Sequence, residues 1–458
     1  TAPDTGVSTD KAAASDFVKI EADKNAATEY KPIVEKTNSG IDIVQIASAN
    51  SDGVSRNLYT WFDVNKSGLI LNNATEYVNT QLGGYVDYNY RLGLRPAKII
   101  LNEVTSANPS SINGFIEVAG HRAGVVIANA NGIVVDNGGF INTSHAVFTT
   151  GKPVVNGGLD TYQVNGGSVI ITGQGLDAKT TDRLDIVSAD AAVTAGVWGG
   201  DEINVVTGHN SVDAQNLQTQ KLNNSTAGMD NTIDIASVGG MYAGKITLVA
   251  NDTDAGIKNF GNINASGSGI TLASDGKLAQ HGRLAAQKGS VSITAGGDIY
   301  NSQQILAGTD LQLQTKGDLL STGTIGSETG IINLTAARDF TQTGSVRLEK
   351  GALNINVGSD LYQYGNISVQ QGGLCWRCKV IAASMARSAA KVTLLLILKA
   401  PCVSMGKSQL LTVMPISLPD LPSANMEISF LPMAAVLFRL AAMHCRQENS
   451  LPKKAALL

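Results

Sequence analysis

The chain is short of the residues from which wide globular cores are built. Aromatics make up 5% of its 458 residues and charged side chains 16%, against about 25% charged in an ordinary domain. Cysteine is missing from the whole stretch before Cys375, which excludes a disulfide framework or a cysteine zinc site there. No apolar run reaches the ~18–20 residues of a membrane-spanning helix. A net charge of -4, with no basic stripe, excludes a dedicated nucleic-acid binder. The 43% apolar content equally excludes a disordered polymer.

What is present is glycine, and it is unevenly spread. Of the 49 glycines, only Gly406 lies beyond Leu374. All four cysteines (Cys375, Cys378, Cys402 and Cys445) and six of the eight methionines also lie beyond Leu374. That terminal segment carries ten Lys/Arg against three Asp/Glu, whereas the part up to Leu374 carries 24 against 35, a net charge of -11. Two unlike compositions meet at about residue 374.

From Ile41 to Leu374 short apolar runs alternate with Asn, Asp, Gly and Ser, as at Val125–Ala128 and Val169–Thr172. Runs of this length bounded by turn formers read as strands. The segment 10–36 is rich in Ala, Lys and Glu without such punctuation, and reads as a helix or a loose leader. The first residue is Thr1 rather than Met, which suggests a mature or excised product.

The strongest internal signal is a repeat. The triplets Ile270-Thr271-Leu272, Val291-Ser292-Ile293, Leu311-Gln312-Leu313, Ile332-Asn333-Leu334 and Leu353-Asn354-Ile355 recur in register along the chain. Their spacing is a period of ~21 residues, the signature of a stacked repeat. From Ile293 onward the fifth position after each triplet is an acid followed by an apolar residue, at Asp298, Asp318, Asp339 and Asp360. Gly289, Gly308, Gly330, Gly351 and Gly372 keep nearly the same spacing. A unit this short buries one apolar face only by stacking on its neighbours. Three short strands per unit make one coil of a parallel β-helix, with coils about 4.8 Å apart. The fold expected is all-β, a single right-handed parallel β-helix (solenoid), with a poorly defined C-terminal tail.

Residues 53–153 are less periodic and richer in motifs. Gly53-Val54-Ser55-Arg56-Asn57 leads to Gly68-Leu69-Ile70-Leu71-Asn72-Asn73, then to Ile99-Ile100-Leu101-Asn102-Glu103-Val104 and Asn108-Pro109-Ser110. Glu117-Val118-Ala119-Gly120, Ala128-Asn129-Ala130-Asn131-Gly132-Ile133 and Gly139-Phe140-Ile141-Asn142 follow in order. Together these phrases resemble the haemagglutination-activity, or two-partner-secretion, domain that opens filamentous haemagglutinins, secreted haemolysins and contact-dependent inhibition toxins of Gram-negative bacteria. The later ~21-residue units resemble the haemagglutinin repeats that follow it. The family phrase Asn-Pro-Asn-Leu corresponds to Asn89-Tyr90-Arg91-Leu92, and Asn-Pro-Asn-Gly-Ile to Asn129-Ala130-Asn131-Gly132-Ile133. Arg56 stands where the family has histidine, and Val135 and Gly138 where the haemolysin branch has cysteines.

The resemblance implies that a partner outer-membrane β-barrel transporter reads the N-terminal domain and passes the chain outward. Asn89, Leu92, Asn129, Asn131, Gly132 and Ile133 are then the candidate secretion-motif residues. It divides the chain into a leader (1–38), a secretion domain (39–240), a shaft of ~21-residue repeats (241–373) and a tail (374–458). Because the composition changes in mid-repeat, the tail reads as out-of-frame translation. The function implied is that of a secreted, non-enzymatic fragment of a filamentous haemagglutinin-like adhesin, outside the cell or on its surface. Its partners are the transporter and a host-cell glycan or protein receptor, with no nucleic acid. The alternative is the stalk of a contact-dependent inhibition toxin or haemolysin without its active region. A β-helix polysaccharide-degrading enzyme comes third.

No cofactor and no metal are expected. One acid per coil is too few oxygens for a calcium ladder, so the Asp column reads as side chains accepting turn N–H groups. An enzyme would place paired carboxylates beside a cation on neighbouring coils, and no such cluster stands out in the sequence. His121, His145, His209 and His281 lack ligand spacing and read as structural. Cys375-Trp376-Arg377-Cys378 lacks the second cysteine pair of a zinc site.

Overall fold

A computed structural model describes residues 19–222, 231–377, 380–384 and 393–396. The chain forms two compact units, Thr1–Lys277 and Leu278–Leu458. Both are built of parallel strands, and the one described helix is the single 3-10 turn Thr28–Tyr30.

In the first unit each coil presents three faces. The first carries strands Asp42–Gln45, Leu69–Asn73 and Phe115–Gly120, paired in parallel with Ile43 beside Ile70 and Glu117 beside Ile70. The second stacks Val54–Phe62, Ile99–Val104, Ala123–Ala128, Thr143–Thr149, Arg183–Ser188 and Glu202–Thr207. The third begins with Ser110–Ile112, Ile133–Ile141 and Ser168–Ala178. Inward residues such as Ile100, Ile127, Val135 and Ile186 are buried, which is the narrow core that few aromatics can fill.

Two insertions cover the outside of this unit. Lys152–Asn156, Gly158–Gln163, Asn210–Asp213 and Thr219–Lys221 form an antiparallel sheet at the corner after the second face. Its Leu159, Tyr162 and Val212 pack on the outward residues Val126, Val147 and Val187 of that face. Strands buried on both sides become continuous apolar runs, and every residue of Ala123–Ala128 is buried. A smaller hairpin, Val78–Thr80 with Gly84–Val86, covers Ile43, Ile70 and Ala119 on the first face.

The start of the chain differs from the helix or loose leader expected over 10–36. Ile20–Ala22 pairs antiparallel with Val54–Phe62, and Ile33–Lys36 pairs antiparallel with Asp42–Gln45. Both first-coil strands have a parallel neighbour on their other side, so the N-terminal strands occupy edges that stacking would leave open. Residues 10–18 lie outside the described residues.

In the second unit the repeat is realised coil by coil. Val291 lies beside Leu311, Leu311 beside Ile332, Ile332 beside Leu353, and Leu353 beside Leu374. The outer two residues of each triplet are buried and the middle one looks outward, as at Leu311, Gln312 and Leu313. Gly330, Gly351 and Gly372 stack at one bend with φ of 92°, 142° and 146°. A Cβ on Gly351 would strike the Gly330 carbonyl oxygen, and one on Gly372 that of Gly351. Glycine is required there for conformation and for space. Strand Asn366–Arg377 keeps this register as far as Arg377 beside Asn356. Beyond it, Val380–Ser384 and Thr393–Leu396 are the described tail strands. The rest of the tail, with Cys378, Cys402 and Cys445, lies outside the described residues.

Candidate functional site

The candidate residues build two turns. Asn89 ends the hairpin excursion and is fully buried. Its Nδ2 donates to the carbonyls of Ile46 and Asn72, both at 3.0 Å, and its Oδ1 accepts the N–H of Arg91 at 3.1 Å. Asn89 therefore joins the ends of two successive first-face strands. Leu92 is buried beside it, and its N–H donates to the Asn89 carbonyl at 3.1 Å.

Asn129 does the same work at the next corner. Its Nδ2 donates to the Asn108 carbonyl at 2.8 Å and to Ser110 Oγ at 2.9 Å. Its Oδ1 accepts the N–H of Asn131 at 3.0 Å, and its own N–H reaches the Thr149 carbonyl at 2.9 Å. Three coils meet on this one residue. Gly132 closes the turn with φ of 106°, a region that favours glycine, and Ile133 enters the core fully buried. Asn131 is exposed at the tip, with Nδ2 on the Ser106 carbonyl at 2.7 Å.

Asn129, Asn131, Gly132 and Ile133 thus form one turn, and Asn89 with Leu92 another at a different corner. Ala130, in the position that the family motif gives to proline, is exposed and leaves the turn closed: the Gly132 N–H donates to the Asn129 carbonyl at 3.1 Å.

Sequence reasoning passed over Arg91, in the middle of the first motif. Its guanidinium donates to the carbonyls of Lys31, Gln45 and Thr28 at 2.8, 3.3 and 3.2 Å, tying the turn to the N-terminal cap. Arg56 lies against Glu103, with Nη2 to Oε2 at 2.7 Å, and over the Tyr30 ring at 5.4 Å.

The polar groups of a kind that carries chemistry elsewhere are engaged here in holding coils together. The Asp column accepts backbone N–H groups from the coil above: Asp298 from Asp318, Asp318 from Asp339 and Asp339 from Asp360, at 2.9, 3.0 and 3.0 Å. The structure corrects one expectation, that no carboxylate pair sits beside a cation. Arg338 reaches Asp298 at 2.8 Å and Asp318 at 2.9 Å, beside a polar depression of about 420 Å³. Separations of 20 and 40 residues hide this cluster in the sequence. Asp298 Oδ1 and both Asp318 oxygens are occupied by the guanidinium and by backbone N–H groups.

Two histidines act as clips. His145 Nε2 meets Asp185 Oδ2 at 2.7 Å, and Arg183 and Asn204 also donate to this buried carboxylate. Burial alone would raise the Asp185 carboxyl, but the hydrogen bond and charge of His145 and the Arg183 guanidinium outweigh it and hold it below the usual range. His209 Nδ1 meets Asp252 at 2.7 Å where the outer sheet resumes. His121 bonds Thr75 Oγ1 at 2.9 Å, and Glu117 accepts the N–H groups of Gln81 and Leu82 under the hairpin. Among the described residues no group of three or more His, Cys, Asp and Glu could hold a metal ion.

The corner asparagines of the first unit and the Asp column of the second are spent on their own coils, as in a β-solenoid scaffold. The chain belongs to the TPS secretion domain family, whose model matches residues 18–280. It is similar to "Toxin CdiA" of Yersinia pestis, 42% identical over 284 residues, covering 60% of this chain and 8% of that protein. It is also similar to "16S rRNA endonuclease CdiA" of Enterobacter cloacae, 38% identical over 312 residues, covering 63% of this chain and 9% of the relative. Among solved structures, a filamentous hemagglutinin secretion domain superposes with a TM-score of 0.52 at 26% identity. That match covers 72% of this chain and 99% of the haemagglutinin fragment. The chain spans about a tenth of the length of the curated relatives. The matched region is a secretion domain rather than a catalytic one, and membership implies an outer-membrane transporter partner. The protein is exported, to the medium or the cell surface.

Proposed function

We propose that residues 39–240 are read by the transporter through the Asn89–Leu92 and Asn129–Ile133 turns. On this reading, residues 241–373 are the first part of the shaft of a filamentous adhesin. The observation that carries the proposal is that both motifs sit at coil corners with their polar groups consumed. The side chains of Asn89 and Asn129 are buried and hydrogen-bonded in the folded domain. A transporter that reads those amides therefore meets them before the coils close, and closure outside the cell then withdraws them. Asn131 alone of the six remains at the surface.

Co-expression with and without the partner transporter tests the reading. Export to the medium should depend on the transporter, and N131A/G132A should reduce it. Equal amounts in the medium without the transporter would refute the proposal.

A specific observation favours a second reading. The relatives at 36–42% identity are named as toxins and nucleases, so the shaft could belong to a toxin stalk. The nucleotide sequence downstream of codon 373 decides between them. Resumption of the ~21-residue pattern in another reading frame there would also establish the tail as out-of-frame translation. A host-cell glycan or protein receptor is part of the adhesin reading, and cell-binding assays with the complete protein test it.

A further inference from the structure

Among the described residues, the four most exposed large aromatic side chains lie on or beside the small hairpin. Tyr77, Tyr85, Tyr88 and Tyr90 are 61%, 63%, 54% and 65% exposed, in a protein with 5% aromatics overall. Alternation along the two strands explains the first pair. Val86 is buried and Val78 packs against Ile43, Ile70 and Ala119, so Tyr77, Asn79, Gln81, Tyr85 and Asp87 turn the other way. The Tyr77 and Tyr85 rings are parallel to within 1° with centroids 5.2 Å apart, and Asn79 lies directly across from Tyr85.

This face is not needed to close the core, because the valines and Leu82 do that. Contiguous exposed aromatic surface on a folded domain marks a binding site. Tyrosine suits one because it brings a large apolar ring and a polar tip at little conformational cost.

Charge and polarity select the ligand. From Ser67 to Tyr90 there is no lysine or arginine, and Arg91 turns its guanidinium inward onto three backbone carbonyls. The one charged side chain that alternation places on this face is the carboxylate of Asp87, which repels an anionic ligand such as a phosphate, a sulfated sugar or a nucleic acid. The remaining polar groups on this face are neutral amides, Asn79 and Gln81. The outer face of this stacked tyrosine pair, beside amide and carboxylate acceptors, matches a pyranose, which has a flat C–H face and a rim of hydroxyl donors. A cationic protein segment would use the carboxylates but not the amides.

We infer that the hairpin face of Tyr77, Asn79, Tyr85 and Asp87 binds neutral oligosaccharide. Its place on the secretion domain means that the exported protein carries a sugar-binding surface near its N-terminus, on the hairpin that runs into the Asn89–Leu92 turn.

The test is binding of the purified full chain to a printed array of neutral and sialylated oligosaccharides. Saturation-transfer NMR with a neutral hit, irradiating the tyrosine rings, then locates the contact. Neutral sugars should bind and Y77A/Y85A should weaken them by about tenfold or more, whereas Y77F/Y85F should retain most binding. Because the four rings are exposed, unchanged thermal melting of the variants will show that the fold survives. Absence of any neutral hit, or equal binding by Y77A/Y85A, would overturn the proposal. Binding of an arginine-rich peptide lost in Y77A/Y85A, without sugar binding, would reassign the face to a basic protein partner and also overturn it. No transporter is present in these measurements, so a negative result leaves the export reading intact.

Discussion

Removing the Asp185 carboxylate should loosen one coil and the outer sheet above it together. Its oxygens accept from His145 Nε2 at 2.7 Å, Arg183 Nε at 2.9 Å and Asn204 Nδ2 at 2.9 Å, and its side chain is 0% exposed. Arg183 also holds the Gln215 carbonyl of the outer sheet at 2.6 Å. In D185A the guanidinium, 25% exposed, loses its counter-charge, and Asn204 loses its acceptor. Breaking one side of a buried pair costs about 3–5 kcal/mol, and the partial exposure of Arg183 places this case near the lower end, about 3 kcal/mol. Local opening of Arg183–Ser188 should then become about a hundredfold more frequent.

Amide hydrogen exchange of Leu184, Ile186 and Val187 reads this directly. It suits a solenoid better than a global melt, whose all-or-none assumption long repeat arrays violate. The pH dependence supplies the control. The folded carboxyl is held below its unfolded value, which is about 3.9. Its contribution is therefore complete above about pH 4 and lost as pH falls through the lower folded value. The gap between wild type and D185A should narrow in acid. Unchanged protection at neutral pH, or a gap of equal size at pH 7 and in strong acid, would refute the reasoning.

Three further outcomes follow from other parts of the structure. G351A should destabilise the second unit, because φ is 142° and the new Cβ meets the Gly330 carbonyl; earlier cleavage near the bend in limited proteolysis checks it, and wild-type resistance would contradict it. D339A should cost roughly 1 kcal/mol by orphaning the Asp360 N–H, while D339N, which keeps a carbonyl acceptor, should cost less. Thermal melting of the wild type with and without a calcium chelator should show no chelator effect; a chelator-dependent melt would reinstate the calcium ladder.

The shaft was legible because its constraint is local and repeated. Leu311 and Leu313 must point inward and Gln312 outward in every coil, so the triplets mark one face and Asp318 the next corner. The Asn129–Ile133 phrase stood out only through its resemblance to a family motif; the positive φ at Gly132 and the buried Asn129 amide, which make it a turn, are features of the folded chain. The outer sheet was not legible. Lys152–Asn156 and Gly158–Gln163 have the composition of coil strands, and nothing local says that they pair with each other and with Asn210–Asp213. Arg338 escaped notice because its carboxylate partners are one and two coils away. The helix or loose leader expected near the N-terminus gives way to strands from Ile20 onward, because propensity is a weak guide where open strand edges demand partners.

That N-terminal cap gives the stack a direction. The first-coil strands Val54–Phe62 and Asp42–Gln45 already hold antiparallel partners on one side, so a coil from another molecule finds no vacancy there. In polymer terms the pointed end is blocked. A chain that emerges N-terminus first can thus lengthen its own stack by successive coils without recruiting its neighbours. Deleting residues 19–36 should leave the outer edges of those two strands open to a strand from another molecule.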